Sequence, residues 1–211
     1  MESRRVEALA DGIFAIAMTL LVLELHVPAL AANASSRAMA GALLHDWPHF
    51  AAYAGSFFIL GVLWIGHHSH FHYIRRADRT LLWINILYLM CVGFLPYSTA
   101  LLGSFIGNRT AAVVYGGVVM LNGLLLYAEW GYAAGHGLLS DEATPAVVRA
   151  AGNRVLYGIA AYTVAVLIAF VSTTACLALY VLIPLLYLRP SAIDQHLWGG
   201  RPRDARRGSH G

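Results

Sequence analysis

Apolar residues along this chain fall into six long blocks separated by short polar punctuation. A helix needs about 20 predominantly apolar residues to cross a bilayer. The blocks cover roughly 11–30, 50–66, 81–102, 111–130, 155–171 and 174–188. Each exceeds what a half-buried strand needs, and none shows strict two-residue alternation, so the expected elements are helices. The break between the last two blocks is short: Ser172, Thr173 and Thr174 interrupt an otherwise continuous apolar stretch. Read as one span, that stretch would give five crossings and set the two chain ends on opposite sides.

Arginine placement decides between five and six. All fourteen basic residues are arginines. With six crossings and the N-terminus inside, twelve lie on the cytoplasmic side, and only Arg37 and Arg109 lie outside. Basic residues in short loops stay on the cytoplasmic face, so this asymmetry favours six. The expected fold is all-α: a six-helix transmembrane domain over residues 1–190, both ends cytoplasmic. A short basic tail at 191–211, rich in Arg, Gly and Pro, is expected to be disordered.

Composition agrees. Of 211 residues, 59% are hydrophobic and only 12% charged, with a mean hydropathy of +0.63; soluble domains carry about 25% charged residues. The lipid bilayer is therefore the expected solvent. The net charge of +3 does not imply nucleic acid, because the arginines sit between apolar blocks rather than on one basic face. Cys91 and Cys176 lie inside apolar runs and read as packing residues. The N-terminal block has no evident cleavage site, so a retained first helix is expected. Trp47, Trp83, Trp130, Tyr132 and Trp198 fall near expected helix ends, where interfacial aromatics sit. Gly116, Gly117, Gly123, Ala161 and Ala165 suit close helix contact, and Asn122 suits an interhelical hydrogen bond.

The first block carries the most information. At about 100° per residue, Ile16, Thr19, Leu20 and Leu23 share one face, with Gly12 and Arg5 on the same stripe. Such a face, with one hydroxyl among branched aliphatics, suits packing against another helix as well as lining an opening. Arg5 and Asp11 project about 120° apart, so neither pairs with the other, and each needs a partner elsewhere. Trp64, His67, His68, His70, His72, Asp78 and Asn85 lie at the same level. A polar ring joining the first three spans is the economical expectation.

Arg5-x-x-x-Leu9-Ala10-Asp11 running into Gly-Ile-Phe-Ala-Ile-Ala-Met-Thr-Leu-Leu-Val-Leu-Glu resembles the first helix of the prokaryotic transmembrane-protein-175 potassium channel family. That family's motif is Arg-x-x-x-Phe-Ser-Asp; this chain carries Leu9 and Ala10 in place of Phe and Ser. Trp64 through His68, Asn85, and Leu95-Pro96-Tyr97-Ser98-Thr99 extend the similarity over three spans. The resemblance implies a homotetrameric channel of the plasma membrane that conducts K+ passively, and other monovalent cations more weakly. Its pore would be lined by the first helix, without the Thr-Val-Gly-Tyr-Gly filter of ordinary potassium channels. Carried onto matching positions, Ile16 is the narrowest ring, Leu20 and Leu23 are further apolar rings, and Thr19 is a ring of hydroxyls. Arg5, Asp11, His67, His68 and Asn85 form the motif and its polar network. An apolar constriction of this kind gates by dewetting.

Other constellations give less. His68 and His72 stand i, i+4, as two zinc ligands do, but no cysteine or clearly placed carboxylate joins them. A proton- or metal-coupled transporter using the histidines at 67, 68, 70 and 72 is the alternative from another class. Glu129, Asp141 and Glu142 are assigned to a helix end and its loop, with Ser140 as a cap. No catalytic set, metal site or cofactor is expected, and the chain is not read as an enzyme.

Overall fold

A computed structural model describes residues 3–187. The tail at 191–211, Trp198 and the last residues of the first domain lie outside that range. Among the described residues there are seven α-helices: α1 (Ser3–Leu20), α2 (Ser36–His45), α3 (Trp47–Tyr73), α4 (Arg79–Ser104), α5 (Arg109–Gly135), α6 (Pro145–Ile168) and α7 (Thr173–Leu186). A 3-10 turn, Leu21–Glu24, extends α1. No strand forms among them beyond one isolated bridge, between Ile74 and Leu139.

The helix starts are written in the sequence. Ser35, Asp78, Asn108, Thr144 and Ser172 each accept, through the side chain, a backbone N–H of the first turn. An N-cap of this type satisfies donors that the helix cannot pair internally. Thr144, followed by Pro145, opens α6; the expected cap at Ser140 is corrected, because Ser140 sits in the turn before it. Ser172 caps α7 and makes the break between the last two apolar blocks real.

Five helices are long and apolar enough to cross a membrane: α1 with its 3-10 turn, α3, α4, α5 and α6. The sixth, α7, is apolar but has 14 residues, a rise of about 21 Å against a hydrocarbon core of about 30 Å. Several boundaries differ from the expectation: α3 runs on to Tyr73, α5 to Gly135, and α6 begins at Pro145 rather than near residue 155. The first helix starts at Ser3 and ends at Leu20, not near residue 30, because the tightened turn gives way to extended backbone at Leu25 ahead of Pro28. The residues beyond it form α2, a short helix with no buried residue, whose mixed composition hid it from a search for apolar blocks.

The core follows α4, of whose apolar stretch 56% is buried, against 28% for α1. Leu60, Tyr88, Val92 and Leu95 interlock with Phe14, Ala17 and Leu21 of α1 in one cluster. Glycine permits the closest approach, since a Cβ on Gly116 would collide with Val166 and the Tyr180 hydroxyl. Gly123 likewise faces Ile159, whereas Gly117 meets nothing. Trp130 is not interfacial as expected; it is 2% exposed and donates from Nε1 to the Val148 carbonyl at 3.0 Å. Asn122 donates to Val118 of its own helix at 2.9 Å rather than across helices.

At one end of the bundle Asp78 accepts from the Leu81 N–H at 2.8 Å and from the Tyr132 hydroxyl at 2.8 Å, tying α4 to α5. The Leu81 N–H above all, and then the Tyr132 hydroxyl, hold its carboxyl below the ordinary carboxylate range against a partial penalty from burial. A depressed folded-state value means the stabilisation is complete above the unfolded value of about 3.9 and is lost as pH falls through the lower folded value. The thermal midpoint of detergent-solubilised protein should therefore fall on acidification through that window, and fall less in Asp78→Asn. Parallel acid limbs for the two proteins would contradict the assignment.

Candidate ion pathway and its polar collar

The two faces of α1 are chemically distinct. Val6, Ala10, Phe14, Ala17 and Leu21, spaced three or four apart, are all 3% exposed or less. The opposite face is open: Ile16 is 57% exposed, Leu20 41% and Leu23 68%. Gly12, Thr19 and Asp11 are exposed beside them. The stripe identified on the helical wheel is thus the one the chain leaves uncovered. Leu23 lies in the 3-10 turn, where the advance per residue is larger than in an α-helix, and it still points away from buried Leu21. The Thr19 hydroxyl donates to the Ile16 carbonyl at 2.8 Å, so its outward capacity is as an acceptor.

What fixes that orientation is an aromatic and polar seat on α3 and α4. Phe14 lies 6.3 Å from the His67 ring and 6.1 Å from the Tyr88 ring, centroid to centroid. His67 and Tyr88 stack at 5.4 Å with planes 2° apart. Tyr88 donates its hydroxyl to the Leu63 carbonyl at 3.2 Å. Nearby, Trp64 Nε1 donates to Asp11 Oδ1 at 2.8 Å, and the Trp64 ring stacks on His68 at 5.6 Å. His67 Nε2 meets Asn85 Oδ1 at 2.9 Å, both side chains buried. Because an amide oxygen only accepts, the imidazole Nε2 carries the hydrogen there.

The expected ring is therefore present in part. Asp11 joins α3, and His67 joins α4 through Asn85. Three members differ from the expectation. Arg5 is exposed and pairs with none of the described residues. His72 is exposed, and Asp78 pairs with Tyr132 instead. The four histidines do not converge: His67 and His70 are buried while His68 and His72 face outward. No group of three or more His, Cys, Asp or Glu placed to hold a metal ion exists among the described residues.

Sequence reasoning missed Glu129. It lies within α5, fully buried, and not in the loop that follows; its Oε2 is 3.9 Å from His67 Nε2. The available signal was a carboxylate inside an apolar run, which in a membrane-spanning segment marks function by default.

Replacing Asn85 by Ala strands the buried imidazole N–H of His67, at a cost of about 1–3 kcal/mol. The thermal midpoint of Asn85→Ala should fall accordingly; an unchanged midpoint would mean that this hydrogen bond does not hold α3 to α4.

Residues 5–96 match the sequence model of the family described as endosomal/lysosomal potassium channel TMEM175. A potassium channel of Streptomyces collinus is 38% identical over 191 residues, covering 88% of this chain and 91% of that one. The endosomal/lysosomal proton channel TMEM175 of Bos taurus is 42% identical over 102 residues, 46% of this chain and 21% of that protein. Among solved structures, the crystal structure of a lysosomal potassium-selective channel TMEM175 homolog from Chamaesiphon minutus aligns with a TM-score of 0.78 at 32% identity, covering 88% of this chain and 96% of that one.

Proposed function

The chain belongs to the TMEM175 family and is a potassium-conducting channel of the multi-pass membrane class, and from that premise we propose how it conducts. Four copies meet through the uncovered face of α1, which lines a central opening. Ile16 forms the narrowest ring, Leu20 and Leu23 are further apolar rings, and the Thr19 carbonyl-bonded hydroxyls present acceptor oxygens to a passing cation. Cations move passively, K+ in preference to other monovalent ions. No cofactor and no catalytic step enter the account.

One observation carries this reading. The uncovered face of α1 holds Gly12, Ile16, Thr19, Leu20 and Leu23, inside a segment apolar enough to span the bilayer. Asp11 lies off that stripe by about 120° and is bonded to Trp64 of its own chain. Polar side chains at membrane depth face protein or a water-filled cavity, so a hydroxyl on an uncovered face supports a shared axial opening. An apolar ring narrow enough to exclude water blocks conduction until it widens. That places the gate in side chains rather than in a backbone carbonyl filter.

The arginine distribution supports the orientation. Arg4, Arg5, Arg75, Arg76, Arg79, Arg149 and Arg154 lie at one end of the helices, Arg37 and Arg109 at the other. A positive-inside bias of this kind supports cytoplasmic termini, and the plasma membrane is the location that goes with this reading. The alternative, a transporter working through the histidines at 67, 68, 70 and 72, has less support, because two of them face inward and two outward.

Ile16→Asn tests the constriction. A polar ring wets more readily, and a barrier lowered by about 1.4 kcal/mol raises flux about tenfold. Potassium flux into liposomes containing the purified variant should rise, or its selectivity over sodium should fall. Unchanged flux and selectivity in folded, incorporated Ile16→Asn would remove Ile16 from the pathway.

A further inference from the structure

Two buried polar groups find no partner in one small region between α3, α4 and α5. Both carboxylate oxygens of Glu129 lack a hydrogen bond, and so does Nδ1 of His70. His70 lies one turn beyond His67 and stacks on Trp130, the residue after Glu129, at 4.5 Å. Unpartnered buried polar atoms are rare in folded proteins, and each calls for a reason. An unpaired buried carboxylate costs several kcal/mol.

The surroundings narrow the choice of what satisfies Glu129. α1 brings Asp11, held by Trp64; α3 itself brings His68, stacked on Trp64, and His70, stacked on Trp130. From α4 come Asn85, already bonded to His67, and Tyr88, stacked on His67. Toward Trp130, α6 presents Val148, Ala151 and Gly152. Among the described residues the Glu129 carboxylate forms no hydrogen bond. Its ion-pair partner among them is His67, whose Nε2, bearing the hydrogen given to Asn85, lies 3.9 Å from Oε2. A metal ion lacks the third ligand it needs. A proton needs only the two groups present.

We propose that Glu129 and His67 form a proton-binding site inside each subunit, away from the α1 pore face, and that its occupancy controls how firmly α1 is seated. When occupied, the pair holds one titrating proton, either on a Glu129 oxygen beside neutral His67 or on His67 Nδ1 beside the Glu129 carboxylate, with the Nε2 hydrogen kept toward Asn85 in both, and the region carries no net charge from the pair. Loss of that proton leaves a bare carboxylate among Tyr88, Trp130 and the two imidazoles. Relief comes from admitting water or shifting the His67 ring. Phe14 rests on that ring and on Tyr88, and Phe14 holds the buried face of α1. A displaced His67 therefore loosens the helix that carries Ile16. Proton binding stands independently of the pore reading; its effect on flux rests on that reading.

Infrared spectroscopy of the full chain in liposomes tests the binding half. Wild-type protein should show a carboxylic-acid C=O band that shifts in D2O and disappears as pH is raised, and Glu129→Gln should lose it. The same titrating band in Glu129→Gln would overturn the site. Should that variant fail to fold, His67→Gln serves instead: removing the imidazole must move the titration midpoint of the band, and an unmoved midpoint overturns the pairing. For the coupling half, potassium flux of wild type should depend on pH, and Glu129→Gln should lose that dependence. A lost band with an unaltered pH profile of flux overturns the coupling. Failure of the pore reading would register separately, as unaltered conduction in Ile16→Asn.

Discussion

Burial of a single stripe of α1 sets everything else. Small residues at Ala10 and Ala17 and the ring of Phe14 let this face approach α3 and α4 closely, and Leu21 completes it. Once that face is committed, the helix has no rotational freedom left, and Ile16, Thr19, Leu20 and Leu23 point outward whether or not anything meets them. In water such a stripe would be an aggregation hazard. In a membrane, where lipid is as apolar as leucine, apolar burial gives no large drive for helices to associate. In the proposed assembly the exposed face brings the Thr19 hydroxyl to the shared axis, while Asp11 beside it is bonded to Trp64.

The collar of hydrogen bonds around Trp64, His67 and Asn85 turns that packing into a defined position. Each bond lies within spans where water competes poorly, so leaving a member unpaired is expensive. Asp11 is held by an indole N–H rather than by an arginine, which fixes its direction without cancelling its charge. On the other side of α3, His67 links Asn85 of α4 and Glu129 of α5 to the seat of Phe14. In the proposed account, permeation uses the uncovered face of α1 and the proton site acts through its buried one.

Much of this was legible in the chain itself. The apolar blocks announced the helices, whereas the one cap read from the sequence, Ser140, gave way to Thr144. The phase of α1 followed from its spacing alone. What escaped were features decided by tertiary context. The end of α1 depended on a 3-10 turn ahead of Pro28, which periodicity does not register. The helix α2 is too polar and too short to stand out as a span. Trp130 looks interfacial by position, yet packing against α6 draws it inside. Glu129 escaped because the fourth block was ended at Trp130, whereas the helix continues to Gly135, leaving the carboxylate a turn and a half inside. That Arg5 pairs with none of the described residues was not foreseeable from spacing.

The account depends on the Ile16 side chains of separate copies facing one another across a shared axis. Cysteine placed at Ile16 measures this directly, since the native Cys91 and Cys176 are buried. Mild oxidation of the membrane-embedded Ile16→Cys protein should yield covalent dimers, and a small water-borne thiol reagent should reduce its potassium flux. Exclusively monomeric protein after oxidation, together with flux indifferent to the reagent, would show that this face of α1 looks into lipid and that the opening lies elsewhere.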